Sequence, residues 1–138
     1  MITVLKFDSH DDFLKLDLIY YHDGCINYMI INASNHLRIV YEYQSTDKVW
    51  FSCTLDIIFD DSAFLEGVDS IEQFNTFAQN WFVEVWDMDY EKDKKIIKFL
   101  IGFFETYPFS YTKVIYVIFT LRPIQVSWTQ TPIDNPYS

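Results

Sequence analysis

Between residues 49 and 91 the chain has no lysine and no arginine, although it has ten basic residues elsewhere. Other scarcities bound its function just as firmly. Glycine occurs three times, at Gly24, Gly67 and Gly102, each isolated. A glycine-rich loop that cradles phosphate with its backbone amides is therefore absent. Two cysteines, Cys25 and Cys53, are too few and too far apart for a disulfide framework or a zinc knuckle. Both lie in strand-like patterns, where free thiols pack as small apolar groups in a reducing cytoplasm. The longest apolar runs, Ile96–Phe104 (broken by Lys98) and Val114–Leu121, fall well short of the roughly 20 residues that a membrane helix needs. The first residues have no basic start followed by an apolar core, so no secretory signal is expected. Basic residues are too few overall to form the patch that phosphate binding or adhesion to anionic lipid requires. Nucleic acid and membrane surfaces are thus disfavoured as partners.

What is abundant is acid and aromatic ring. The 138 residues carry 20 acids and a formal net charge of -10. Ten of those acids lie within 49–91: Asp56, Asp60, Asp61, Glu66, Asp69, Glu72, Glu84, Asp87, Asp89 and Glu91. The remaining ten are balanced by the ten bases, so this stretch holds the whole net charge. Trp50, Trp81 and Trp86 lie in it too. Half the residues are apolar and a fifth aromatic, which is too rich for a disordered acidic chain. The length fits one domain, 1–138, with a single sizeable core.

Periodicity suggests the elements. Residues 2–7 read as a strand, and the polar run from Asp8 to Asp12 ends it. Residues 13–21 alternate as a half-buried strand, followed by a turn at His22-Asp23-Gly24 and a return strand over 26–33. Along 36–43, Leu37, Ile39, Tyr41 and Tyr43 share one face. Residues 49–59 form a further strand ending at Asp60 and Asp61. The period then changes. Ser70 and Gln73 make a capping-box pattern, and Ile71, Phe74, Phe77, Ala78, Trp81, Phe82 and Val85 fall on one helical stripe. A second helix is expected from about Asp89, with Asp89, Glu91 and Asp93 in its first turns, running to the Thr106-Tyr107-Pro108 break. Val114–Leu121 is β-branched and aromatic, and reads as a strand buried on both faces. Pro123 separates it from a short strand at 124–129, and 131–138 is a tail. The expected fold is α+β: an antiparallel sheet of about five to six strands packed against two helices.

No arrangement of residues signals catalysis. Asp87, Asp89, Glu91 and Asp93 alternate as a calcium loop begins, but Lys92 stands where its glycine belongs and Lys98 where its bidentate glutamate belongs. His22-Asp23 resembles the dipeptide of metal phosphohydrolases, yet it sits in a turn with only His10 and His36 as further imidazoles. Neither cysteine has a histidine-based signature. Adjacent acids such as Asp60 and Asp61 are ordinarily solvated. No enzyme activity, cofactor or metal is expected. Phe74, Phe77, Trp81 and Phe82 have core spacing. Trp86 and Tyr90 flank acids at the expected helix junction, the composition of an interface that takes lysine or arginine.

The stretches Tyr20-Tyr-His-Asp-Gly-Cys-Ile26, Ile30-Ile-Asn32, His36-Leu-Arg-Ile-Val-Tyr41 and Val49-Trp-Phe51 resemble strand patterning in small acidic immunity proteins of bacterial toxin and contact-dependent inhibition systems. The resemblance covers residues 1–60, together with size, acidity and aromatic content. It implies a cytoplasmic protein that binds one cognate basic toxin, often a nuclease, and blocks it. Nuclease rims are basic because they meet polyanions, and carboxylates can stand where phosphates would. The partner-binding candidates are Asp60, Asp61, Glu66, Asp69, Trp86, Asp87, Asp89, Tyr90 and Glu91. Two other readings compete: a small-molecule-binding or enzymatic domain with a pocket between sheet and helices, and a homodimer through a sheet edge or aromatic face. The leading reading is best supported if the acids around 60–69 and around 87–91 meet in space.

Overall fold

The computed structural model describes residues 2–7, 9–13, 25–105 and 113–136. Among these described residues, nine strands and two helices follow in chain order. They are β1 (Thr3–Phe7), α1 (His10–Phe13), β2 (Cys25–Asn32), β3 (His36–Gln44), β4 (Trp50–Phe59) and β5 (Phe64–Glu66). Then come α2 (Ile71–Asn80), β6 (Phe82–Glu91), β7 (Ile96–Phe104), β8 (Val114–Leu121) and β9 (Pro123–Ile133). The strands make two antiparallel sheets, one of five strands in the order β1-β9-β4-β3-β2 and one of four in the order β5-β8-β7-β6. Among the described residues only α2 is longer than a single turn. The protein is therefore mostly β, and the expected α+β fold with two helices is corrected.

The two sheets share one core. Leu37, Ile39, Tyr41 and Tyr43 of β3 all point inward, as their alternation requires. Met29, Ile31, Cys53, Leu55, Ile57, Val126 and Trp128 complete that side, and Val85, Ile97, Phe99, Ile101, Phe103, Val117 and Phe119 face them from the four-stranded sheet. Phe59 meets Phe119 edge-to-face at 5.5 Å, linking the sheets directly. Arg122 alone separates β8 from β9, so the chain crosses from one sheet to the other within a residue. Pro123 then opens β9, where a missing N–H is least costly. That strand continues to Ile133, so residues 131–133 belong to the sheet rather than to a tail.

Helix α2 ties the sheets together. Its Phe74 is fully buried and packs against Phe103 and Phe119. The neighbouring Asn75 faces the other way: its Oδ1 accepts from Ile31 N at 2.9 Å and its Nδ2 donates to Ile31 O at 2.8 Å. One side chain thus satisfies both backbone groups of an edge strand, which blunts that edge. Ser70 Oγ accepts from Gln73 N at 3.0 Å, as the cap predicts. Gln73 Oε1 takes the N–H of Asp69 rather than that of Ser70, so the box closes one residue early.

The helix ends at Asn80, not beyond Val85, and Trp81 has extended dihedrals. Residues 82–91 are β6. Phe82 and Val85, three residues apart, lie on opposite faces of this strand, and Trp86 is a bulge: Val85 pairs with Ile101, Asp87 pairs with Leu100, and Trp86 is the extra residue. The second expected helix is likewise absent. Residues 92–95 form a turn closed by Lys95 in the left-handed region (φ 57), and β7 returns as a strand. Its apolar run, interrupted by Lys98, fits a buried helix or a strand with apolar residues on both faces, and its isoleucines and phenylalanines favour the latter. Phe82, expected in the core, is 47% exposed. Cys53 is buried, but Cys25 is exposed, against the expectation that both pack inside. The expected strand at 13–21 is replaced at its start by α1, which Phe13 ends; its remainder, the His22-Asp23-Gly24 turn and the break at 106–108 lie outside the described residues.

Candidate functional site: the outer face of the four-stranded sheet

The registers of the four-stranded sheet place its outward side chains in rows. Glu66 pairs with Ile118, Ile118 with Leu100 and Leu100 with Asp87. The row therefore runs carboxylate, isoleucine, leucine, carboxylate across the sheet. On one side lies Phe64–Thr120–Lys98–Asp89, with Glu91 opposite Ile96 beyond it. On the other side Tyr116 pairs with Gly102 and Gly102 with Glu84, followed by Val114, Phe104 and Phe82. Asp87, Asp89 and Glu91 share this face because alternate strand residues point the same way. The spacing that mimics a calcium loop is a strand spacing.

Trp86 lies at the centre. The bulge turns its ring over Gly102, where an added Cβ would come within 2.9 Å of Trp86 Cζ2. Its ring meets Tyr116 edge-to-face at 5.0 Å and Phe104 at 5.8 Å. Tyr116, Phe64 and Phe82 are about half exposed, at 55%, 51% and 47%. The ring contacts made by α2 and β4 on this sheet reach Phe103 and Phe119, which point to its opposite face. The result is a largely apolar, aromatic floor, interrupted by Lys98, with acids along both edge strands.

Other candidates fall elsewhere. Tyr90 points inward, packs against Phe13 at 6.0 Å, and has its hydroxyl pKa raised by burial. It therefore does not join Trp86 on the surface. Asp60, Asp61 and Asp69 gather around a cavity of about 330 Å³ between the end of β4, β5 and the start of α2, floored by Phe59 and Phe119. So the two acidic groups do not merge into one patch: Glu66 comes into line with Asp87, while Asp60, Asp61 and Asp69 remain beside β5. Asp60 accepts from Ser62 N at 2.9 Å and from the Ser62 hydroxyl, and Arg122 Nη1 lies 3.6 Å away. Those bonds to Ser62, helped by Arg122, hold its carboxyl below the usual range. Asp61 accepts from Asn35 Nδ2 at 2.6 Å. The shift of Asp60 is opposite in direction to that of a carboxyl group kept protonated by burial. Among the described residues no cluster of His, Cys, Asp and Glu is arranged to hold a metal ion.

The outward face of the five-stranded sheet makes a contrast. There Asp56 receives His36 Nε2 at 2.7 Å and Arg38 Nε at 2.7 Å, among Ser127, Gln125 and Lys6. Its main charges are paired with each other, and Asp56 raises the pKa of Arg38. Sequence reasoning missed Leu100, Tyr116 and Ile118 as residues of this outward face, because β7 was expected as a buried helix and β8 as covered on both sides, and it gave Phe64 no role. The available signal was the pair of two-sided apolar segments with acids at alternate positions on a neighbour. A scan against protein-family models and searches of curated proteins and of solved structures found no match to the chain. No helix among the described residues is long and apolar enough to cross a membrane.

Proposed function

We propose that this chain is a non-enzymatic binding protein that acts in the cytoplasm by covering a basic toxin domain, a nuclease, with the outer face of its four-stranded sheet. The observation that carries this reading is the row Glu66–Ile118–Leu100–Asp87, an apolar centre with a carboxylate at each end. Trp86 and Tyr116 supply large rings that bury well, and the rim acids speed the encounter and set its orientation. A nuclease surface offers the complement, because the lysines and arginines that approach phosphate surround its site.

The test is calorimetric titration against the basic toxin domain encoded beside this chain. Submicromolar affinity that falls with added salt is expected. Glu66→Lys combined with Asp87→Lys should weaken binding at least tenfold, whereas Asp47→Lys, in the exposed turn after β3, should not. Absence of binding, or binding indifferent to salt and to both reversals, overturns the reading.

A further inference from the structure

We infer that the partner element received by this face is a basic amphipathic α-helix lying along the strands. This rests on the reading above that the face binds a cationic protein, and adds the shape of what it binds. Glu66 and Asp87 are three strand spacings apart, which is roughly 14 Å. A helix with its side chains is about 10–12 Å across, so it fits between the two acidic edges. Its apolar stripe would rest on Leu100, Ile118, Trp86 and Tyr116. Lysines or arginines on its flanks would extend their methylene stems sideways and reach Glu66 on one edge and Asp87 and Glu84 on the other. The nine residues of β7 span roughly 26 Å, the length of about 17 helical residues.

Other occupants fit less well. A β-strand adds to an edge rather than to a face. A second copy of this face would bring the acids of Glu66, Asp87, Asp89 and Glu91 to the same interface twice over, and like charges across an interface oppose association. The α-helix is what ordinarily covers the apolar face of a sheet, and here the charge at both borders selects a cationic one.

The probe is a synthetic helical peptide of roughly 18 residues, with leucines at i, i+3, i+4 and i+7 spacing and lysines at the flanking positions. The control is a peptide of the same composition in scrambled order, with the apolar stripe destroyed. The ordered peptide should bind at least tenfold tighter than the scrambled one. It should shift the amide resonances of Leu100, Gly102, Tyr116 and Ile118, and lose tenfold or more on combining Glu66→Lys with Asp87→Lys. Circular dichroism of that variant confirms that it remains folded. Equal binding of the two peptides, or shifts confined to the five-stranded sheet or the cavity beside α2, overturns the inference. If the toxin domain binds and protects this face from hydrogen exchange while the helical peptide does not bind, the helix inference alone fails. If the peptide binds as described and the toxin domain does not, the neutralising function fails and the helix-receiving face stands.

Discussion

Gly102 matters for what it leaves room for. Trp86 Cζ2 and Cε2 lie 2.9 and 3.1 Å from where its Cβ would be, with Phe104 Cε2 at 3.2 Å. Gly102→Ala therefore forces the indole to shift, because the flexible ring yields before the sheet backbone does. We expect a destabilisation of about 1–3 kcal/mol from overpacking, a moved Trp86 indole N–H resonance, and weaker partner binding. An unchanged indole resonance would show that Trp86 does not rest on Gly102. The thiols offer a second residue-scale prediction. Exposed Cys25 should react with a thiol reagent in the folded protein, while buried Cys53 should react only on unfolding. Burial pushes the Cys53 thiol from its ordinary 9.0 up to about 12 and raises the neighbouring Tyr41 hydroxyl as well. A raised folded-state pKa means that the unfolded chain releases its proton first as pH rises. This contribution is complete below pH 9 and is lost progressively toward about pH 12. Denaturant unfolding across that range should show an alkaline decline that is shallower in Cys53→Ala.

Among the elements, α2 joins the two sheets through Phe74 and Asn75. Asn75 supplies both hydrogen bonds to Ile31, so Asn75→Ala strips a donor and an acceptor on β2 of their partners. A cost of about 2–3 kcal/mol follows, with faster amide exchange at Ile31, and exchange measured with and without the substitution checks it. Phe74→Ala, which empties the space between Phe103 and Phe119, should cost about 3–5 kcal/mol in a chemical melt. How far the sequence revealed these elements depended on how many faces each buries. Strands β3 and β4 were legible because one face packs and the other is solvated, so Leu37, Ile39, Tyr41 and Tyr43 alternate with polar residues. The start of α2 was legible from Ser70 and its cap. β6 and β7 were not. Trp86 breaks the alternation of β6 by one residue, and β7 is apolar on both faces, which erases the period that separates strand from helix. The site was half visible for the same reason. Glu66, Asp87 and Asp89 stood out by charge, but only pairing through Ile118 and Leu100 puts Glu66 and Asp87 in one row. Tyr90, one residue on from Asp89, faces the core.

For the molecule as a whole, the two sheets divide the labour unequally. The five-stranded sheet shows water a mixed face, in which Val4, Tyr28 and Ile58 stand among hydroxyls, amides and the Asp56–Arg38 ion pair, with His36 bonded to Asp56. The four-stranded sheet shows it Phe64, Phe82, Trp86 and Tyr116. An exposed aromatic face is ordinarily an association hazard. Here the net charge of -10, with Glu66, Asp87, Asp89 and Glu91 on that face, opposes self-association while leaving a cationic partner attracted. The two effects separate experimentally. Neutralising Glu66→Gln, Asp87→Asn and Asp89→Asn together leaves the apolar floor intact and removes the repulsion at its borders. Light scattering should find the parent chain monomeric at low salt and the triple variant shifted toward dimers. Added salt should move the parent in the same direction, since repulsion between exposed charges is screened beyond about 10 Å at 0.1 M. Gly102→Ala, by disturbing Trp86, should weaken that dimer. A triple variant that stays monomeric at every salt concentration would mean that the outer face of the four-stranded sheet is too weakly apolar to associate, and the aromatic anchor of the binding surface would have to be sought elsewhere.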